Sequence, residues 1–280
     1  MEIIQVNHMS KKYKEHDAVK DLSLQVDEGE CVALLGPNGA GKSTTIEILE
    51  GFRSPSSGSA MVLGENPKSA SRQWRDRIGV VLQSAFSASS LTVIEELKLA
   101  SIAYSNPYPV GDVIDMVGLQ GKAKQQVAKL SGGQRRRLDV ALGIIGRPKL
   151  LFLDEPTTGF DPTARIAFLD VIDGLRQSGT TILLTTHYME EANHLADRIL
   201  VMNEGELVAT GSPDQIGDRT PIVQWIDPFS GEQCFERTQT PTEFVVALAN
   251  SLNEIPGLQV IVPSLEQAYL SIINGERVPA

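Results

Sequence analysis

The chain has 280 residues, of which 41% are hydrophobic and 21% are charged, and its formal net charge is −10. This length accommodates one large domain with a smaller appendage, and the composition is typical of a globular protein. The acidic charge argues against non-specific attraction to nucleic acid or to an anionic membrane surface. The two cysteines, Cys31 and Cys234, lie far apart without a metal-ligand pattern, which indicates reduced thiols of a cytosolic protein.

The apolar segments of the sequence bear on its location. Residues 1–16 contain no uninterrupted apolar core, so no signal peptide is predicted. No apolar run approaches the roughly 20 residues that a membrane helix needs. We therefore expect the chain to be cytosolic by itself, and any membrane that it serves to be spanned by another polypeptide.

The first part of the chain predicts strands around a glycine-rich loop. Strands are expected at residues 2–13 and 22–30, and the apolar run CVALLG leads through the loop into a helix, GKSTTIEILEGF. A turn-rich piece, residues 53–67, precedes a strand that ends at Gln83. Across residues 84–147 the apolar positions recur with a helical period, which predicts a helical insert.

The second part alternates strands and helices. Strands are predicted at residues 149–156 and 180–187, each followed by a helix, and a hairpin is predicted at residues 198–211. This alternation predicts an α/β fold with a mostly parallel sheet. After a compositional break, the remaining residues predict a small α+β appendage. The expected domains are residues 1–217, with a helical subdomain at 84–147, and residues 218–280.

The loop between the first apolar strand and its helix matches the pattern G-x-x-x-x-G-K-[S/T]. Its glycines let backbone N–H groups wrap phosphate oxygens, and the following helix directs its positive end at the same anion. Lys42 can reach the β- and γ-phosphates, and the Ser43 hydroxyl can ligate Mg²⁺. The residues predicted to bind the nucleotide are Gly36, Pro37, Asn38, Gly39, Ala40, Gly41, Lys42, Ser43 and Thr44.

Polar residues at the ends of other strands complete the predicted site. Asp154 can hold Mg²⁺ through its water shell, and Glu155 is placed to orient or deprotonate the attacking water. His187 would contact the γ-phosphate, and Gln83 could reach Mg²⁺ or the water. The alternative is structural: two carboxylates that cap a strand and a histidine with satisfied hydrogen bonds. With Lys42, the pair Glu155 and His187 is the predicted catalytic set.

Two further features concern recognition. Tyr13, in a polar stretch before the core, is a candidate for stacking on adenine, although alone it would be a partly buried aromatic residue. In the segment LSGGQRRRLD, Ser131 can cap a helix whose positive end faces outward. No second Lys-Ser/Thr pair accompanies this segment, so it is not a second complete site. We interpret Arg136 and Arg137 as a solvated basic turn.

These motifs, in this order, resemble the ATP-binding-cassette (ABC) transporter ATPases over about residues 2–213. The resemblance implies a P-loop ABC ATPase core, in which a mixed sheet accompanies a RecA-like parallel sheet, with a helical subdomain. It also implies that Ser131, Gly132 and Gly133, followed by Gln134, press against the γ-phosphate bound by a partner subunit. Asp161, in TGFD, falls where the family has its subunit-bridging aspartate.

The resemblance extends to a branch of the family. The segments TTHYMEEANHLADRILVMNEGELVATGSP and PSLEQAYLSI look like the ATPases of bacterial drug, polyketide and small-molecule exporters, whose membrane subunit is a separate chain. This implies an ATPase that uses ATP and Mg²⁺ and works at the cytoplasmic face of the membrane. Its partners would be an integral membrane permease and a second ABC subunit, identical or a paralogue. No nucleic-acid partner is expected.

Two other functions compete with this reading. A soluble ABC ATPase of translation or DNA repair would carry two cassettes or long coiled coils, whereas this sequence has one P-loop, one LSGGQ and no coiled coil. A regulatory module would bind ATP without useful turnover, and Glu155 together with His187 argues against it. A GTPase is disfavoured because no Asn-Lys-x-Asp sequence occurs.

Overall fold

The computed structural model describes residues 1–82, 90–158, 160, 162–252 and 254–274. Gln83 and Asp161, two of the predicted site residues, lie outside the described residues. The chain forms two compact units, Met1–Val208 and Ala209–Ala280. This division lies upstream of residue 217, because Gly217 already packs against Ala268 of the second unit.

The first unit begins with a three-stranded antiparallel sheet in the order β2-β1-β4. Its strands are β1 (Glu2–Tyr13), β2 (His16–Asp27) and β4 (Ser57–Val62). Buried and exposed residues alternate along β2, as expected for a sheet with one face on the core. Residues 53–67 predict turns, yet β4 lies among them, because its Ser-Gly-Ser start hides the strand signal.

The first unit also contains a six-stranded sheet in the order β5-β6-β7-β3-β8-β9, whose last strand continues three residues beyond Val208. The pairs β5/β6, β6/β7, β7/β3 and β3/β8 are parallel, which confirms the predicted sheet type. Residues 31–35 and 181–186 are buried throughout, as expected for central parallel strands. The strands are β3 (Cys31–Leu35), β5 (Ile78–Val81), β6 (Leu150–Asp154), β7 (Thr181–Thr186), β8 (Arg198–Asn203) and β9 (Glu206–Gly211).

Helices connect these strands. Residues 90–147, the described part of the predicted insert, contain α3, α4 and α5 and no extended strand. The helix α1 follows β3 after the glycine-rich loop of residues 36–41, and α6 and α7 follow β6 and β7. The helices of this unit are α1 (Lys42–Leu49), α2 (Arg72–Arg75), α3 (Val93–Ser101), α4 (Val110–Met116), α5 (Gly132–Ile144), α6 (Pro162–Gln177) and α7 (Met189–Leu195).

The second unit is a small α+β structure. Its antiparallel sheet has the order β11-β10-β12, with β10 (Ile222–Ile226), β11 (Gln233–Arg237) and β12 (Gln259–Ile261). Two helices accompany it, α8 (Pro241–Ser251) and α9 (Leu265–Asn274). Trp225 of β10 and Phe244 of α8 pack with ring centroids 5.6 Å apart, which joins helix to sheet.

None of the helices formed by the described residues combines the length and the apolar character required to cross a bilayer.

Candidate active site

The predicted site residues converge at one edge of the six-stranded sheet. Asp154 is the last residue of β6, His187 follows β7, and Gly36 follows β3. Since β6, β7 and β3 are neighbouring parallel strands, their carboxyl ends lie side by side. Ligands of open α/β sheets bind at this edge.

The backbone of residues 36–41 requires glycine at specific positions. Gly39 and Gly41 have φ values of 85° and 99°, where side chains are strained. A Cβ on Gly41 would lie 2.3 Å from the Ala18 carbonyl oxygen, and one on Gly36 would lie 2.4 Å from that of Met202. The loop can therefore wrap a phosphate group closely, as its sequence predicts.

Lys42 lies inside this loop. Its side chain is 6% exposed, and Nζ donates hydrogen bonds to the carbonyl oxygens of Gly36 (2.7 Å) and Pro37 (3.2 Å). Burial lowers the pKa of Lys42, while the negative charges of Glu155 and Asp154 oppose this shift. The ammonium group is thus held between the loop and the two carboxylates.

One threonine fixes both carboxylate residues. The Thr185 hydroxyl donates a hydrogen bond to Asp154 Oδ1 and accepts one from the Glu155 backbone N–H at 3.0 Å. Glu155 has a φ of 43°, an uncommon value for a residue with a side chain, which clusters at functional sites. Thr185 carries no local sequence signal, so its role emerges only from the pairing of β6 with β7.

Glu155 and His187 are in contact. His187 Nδ1 lies 3.5 Å from Glu155 Oε1, and the Thr158 hydroxyl donates to Glu155 Oε2 at 3.3 Å. The histidine side chain is 42% exposed, whereas that of Glu155 is 13% exposed. The pair can therefore meet a substrate on its open side while the glutamate stays fixed.

The interpretation of Arg136 as a solvated residue is wrong. Arg136 as a residue is 7% exposed, and its side chain donates to the carbonyl oxygens of Pro156 (2.7 Å), Asp154 (2.9 Å) and Leu82. Burial lowers its pKa, although Asp139 and Asp154 oppose this shift. The spacing of Arg136, Val140 and Ile144, which are all buried, would have placed it on the inner face of α5.

Ser131 caps α5 as predicted. Its hydroxyl accepts from the Gln134 N–H at 3.3 Å, and the Gln134 side chain accepts from the Ser131 N–H at 3.2 Å, which forms a capping box. Ser131 and Gly132 are exposed, and a Cβ on Gly132 would meet open space. The segment LSGGQ therefore presents a helix N-terminus to its surroundings.

Tyr13 is the predicted adenine contact, and it lies at the end of β1. Lys11 Nζ is 5.2 Å from its ring centroid, and the Arg53 guanidinium carbon is 5.5 Å away. These are cation–π distances. The adenine contact itself stays a prediction, as do the roles of Gln83 and Asp161, which lie outside the described residues.

The residues available for Mg²⁺ fit that ion. Ser43 is exposed at the start of α1, and Asp154 offers a carboxylate that Thr185 already orients. Mg²⁺ prefers hard oxygen ligands and is held in nucleotide sites by few protein groups together with phosphates. A hydroxyl and one carboxylate beside a phosphate loop are such a donor set.

A phosphate loop, an oriented strand-end aspartate and a glutamate held against a histidine define a P-loop nucleoside triphosphatase. The family model described as ABC transporter matches residues 19–158. The chain is 41% identical over 274 residues to the Nod factor export ATP-binding protein I of Cupriavidus pinatubonensis, which covers 88% of this chain and 83% of that protein.

Solved structures show the same similarity. An ATP-binding subunit of an ABC transporter aligns with a TM-score of 0.69 and 28% identity over 76% of this chain and 91% of that one. The dimeric structure of a bacterial ABC transporter cassette aligns with a TM-score of 0.68 and 25% identity over 75% of this chain and 98% of that one.

The chain therefore belongs to the ABC transporter family. It is an ATP-binding subunit of an ABC transporter, and it is an ATPase. The predicted family, fold class and activity are confirmed. The alternative of a translation or repair ATPase is not favoured, because the relatives are export proteins.

Proposed function

We propose that this ATPase powers export through a separate integral membrane permease at the cytoplasmic face of the membrane. The relatives named as export ATP-binding proteins support this direction of transport, and they align over most of this chain. In this proposal the permease binds the transported molecule, so the residues of this chain do not identify that molecule.

ATP binding is assigned to the loop at residues 36–44. Its backbone N–H groups and the start of α1 would surround the phosphates, and the buried Lys42 ammonium would neutralise them. Ser43 and Asp154 would hold Mg²⁺, which supplies positive charge to the β- and γ-phosphates when bound. Thr185 keeps the Asp154 carboxylate in place for this task.

Hydrolysis is assigned to Glu155 and His187, and their 3.5 Å contact beside Lys42 is the observation that carries this assignment. Glu155 would align the attacking water and accept its proton, while His187 donates a hydrogen bond to the γ-phosphate. The bond between the γ-phosphorus and the bridging oxygen breaks, and ADP and phosphate are released. Positioning and charge stabilisation supply most of the catalysis in phosphoryl transfer.

A second subunit would complete each site. The exposed helix N-terminus at residues 131–133 has the donors to bind a γ-phosphate held by a partner, and a similar cassette is known as a dimer. Two copies, or one copy and a paralogue, would enclose two ATP molecules. Binding would close the dimer and hydrolysis would open it.

Glu155→Gln tests the catalytic assignment. The variant should bind ATP as the wild type does but lose about 100-fold or more of its turnover, because the base is gone while the shape of the side chain remains. Phosphate release and equilibrium ATP binding measure the two effects. Glu15→Gln, at an exposed position in the turn after β1, is the matched control. Wild-type turnover in Glu155→Gln would overturn the assignment.

The permease partner is tested by purifying the full chain from detergent-solubilised cells of its source. We expect an integral membrane protein in stoichiometric amount. Ribosomal proteins or DNA in its place would contradict the proposed function.

A further inference from the structure

Four side chains behind the catalytic pair form a connected group, the Glu191 cluster: Thr157, Arg165, Tyr188 and Glu191. Its centre is the Glu191 carboxylate, which is 0% exposed. The Thr157 hydroxyl donates a hydrogen bond to Glu191 Oε1, and Thr157 is itself 1% exposed. A buried carboxylate on α7 is thus tied to the segment that follows β6.

Arg165 of α6 forms the second side of the cluster. Its Nε lies 4.0 Å from Glu191 Oε1, and its Nη1 lies 3.8 Å from Glu190 Oε2. The guanidinium carbon is 3.9 Å from the centroid of the Tyr188 ring, within the range of a cation–π contact. The guanidinium therefore contacts both the buried Glu191 carboxylate and the Tyr188 ring, whereas the Glu190 carboxylate is exposed to solvent.

Tyr188 connects the cluster to the catalytic pair. Its ring centroid is 4.1 Å from that of His187, with an angle of 39° between the planes. His187 Nδ1 is in turn 3.5 Å from Glu155 Oε1. Glu155 precedes Thr157 by two positions, so the contacts form a closed circuit that passes through both catalytic side chains.

A buried carboxylate at position 191 is better explained by the polar groups that it holds in place than by a need to fill space in the core. Burial raises its pKa, while hydrogen bonds from Thr157 and Thr186 and the charges of Arg165 and His187 oppose this shift. A buried charge is costly, and apolar residues often replace buried ion pairs without loss of stability. A carboxylate at this position therefore has a geometric task, which is to fix several polar groups at once.

We propose that Glu191 is a positioning residue for ATP hydrolysis. It holds Arg165 against Tyr188, and Tyr188 holds His187 beside Glu155, while the Thr157 hydroxyl fixes the Glu191 carboxylate. This inference rests on the roles proposed above for Glu155 and His187.

Steady-state kinetics of the full chain test the proposal. Glu191→Ala should lower kcat by about tenfold or more and change KM and ATP affinity by less than about twofold, because the groups that bind ATP are untouched. Glu191→Gln keeps an oxygen for Thr157 and should fall between Ala and wild type. Glu190→Gln is the matched control: its carboxylate contacts the same arginine but is 87% exposed, and it should stay within about twofold of wild type.

A double-mutant cycle separates positioning from general structural support. In a His187→Ala background, Glu191→Ala should lower the single-turnover rate by less than about twofold further, since its effect passes through His187. A full tenfold loss in that background, or a wild-type kcat in Glu191→Ala, would overturn the proposal. If Glu191→Ala does not fold, Glu191→Gln and Thr157→Val enter the same cycle.

Glu155→Gln, measured in parallel, separates this inference from the assignment beneath it. Wild-type turnover in that variant would contradict the assignment of Glu155 and His187 as the catalytic pair. An inactive Glu155→Gln together with a fully active Glu191→Ala would contradict only the positioning role proposed for Glu191.

Discussion

At the scale of single residues, Glu50 is a buried carboxylate without a hydrogen-bond partner in the part of the chain that the structure describes. Glu50, which follows α1, is 7% exposed, and neither of its carboxylate oxygens has a hydrogen-bond partner among the described residues. Burial raises its pKa to about 8, and the negative charges of Asp154 and Glu47 add to the effect. The folded protein therefore favours the protonated, neutral form of this side chain.

The pKa of Glu50 predicts a loss of stability with rising pH. The ordinary pKa of a glutamate side chain is 4.5, so between pH 4.5 and about pH 8 the folded state keeps a proton that the unfolded state has lost. Stability from this group is present below pH 4.5 and is lost as the pH rises through 8, by about 1.4 kcal/mol per pH unit at most.

Glu50→Gln removes this titration. Without nucleotide and Mg²⁺, the variant should unfold at a higher temperature than the wild type near pH 8 and at a similar one near pH 5. The gain at the higher pH should be a few kcal/mol, which thermal unfolding at both pH values measures. Glu28→Gln, at an exposed position, serves as control. An equal difference from wild type at both pH values would contradict the prediction.

At the scale of elements, α5 combines two surfaces. Its N-terminus carries the capping box of Ser131 and Gln134, and its inner face carries Arg136 against the carbonyl groups after β5 and β6. An arginine is suited to this task because its planar fork donates several hydrogen bonds in fixed directions.

Arg136→Ala should destabilise the protein by about 1–3 kcal/mol, because buried carbonyl groups lose their donors. Turnover should fall as well, since Asp154 and Pro156, which flank Glu155, lose a fixed contact. Arg136→Lys should recover stability only in part. Chemical denaturation and phosphate release measure the two effects.

Arg137→Ala is the control for this prediction, because Arg137 is the adjacent, partly exposed arginine. It should change stability by less than about 0.5 kcal/mol. Equal effects of the two alanine substitutions would contradict the role of Arg136.

The sequence predicted most elements because their patterns are local. The buried runs of β3, β6 and β7 and the glycines before α1 are readable without the fold. Arg136 was misplaced because a charged residue at a buried position contradicts the usual pattern. Thr185 and Glu191 carried no signal, since their partners lie on other strands and helices and are adjacent only in three dimensions.

At the scale of the whole molecule, the proposed function makes this site one half of a composite. The P-loop, Asp154, Glu155 and His187 lie together at one edge of the sheet, whereas the LSGGQ segment offers donors without a lysine or an acidic strand end of its own. The proposed dimer is the arrangement that employs both halves.

Ser131→Arg should spare ATP binding by the single subunit but prevent dimer closure, because a long charged side chain fills the contact with the γ-phosphate. In the Glu155→Gln background, ATP should produce a stable dimer that sedimentation detects, and adding Ser131→Arg should leave monomers. Ser71→Arg is the control, since the Ser71 hydroxyl also caps a helix, by accepting from the Trp74 N–H at the start of α2. ATP-dependent dimers should form normally in Ser71→Arg, whereas dimers that survive Ser131→Arg would contradict the composite site.

The two surfaces of α5 make this helix a mechanical connection between the proposed subunit contact and the backbone around Glu155. Ser131, at one end, is the proposed contact for a nucleotide held by another subunit, and Arg136 donates hydrogen bonds to the carbonyl oxygens of Asp154 and of Glu155, the proposed catalytic base. Five residues separate them, or about 7.5 Å of helix. A packed helix transmits displacement instead of absorbing it. A displacement of Ser131 caused by the partner's nucleotide would therefore pass along less than two helical turns before it reaches the backbone of Glu155.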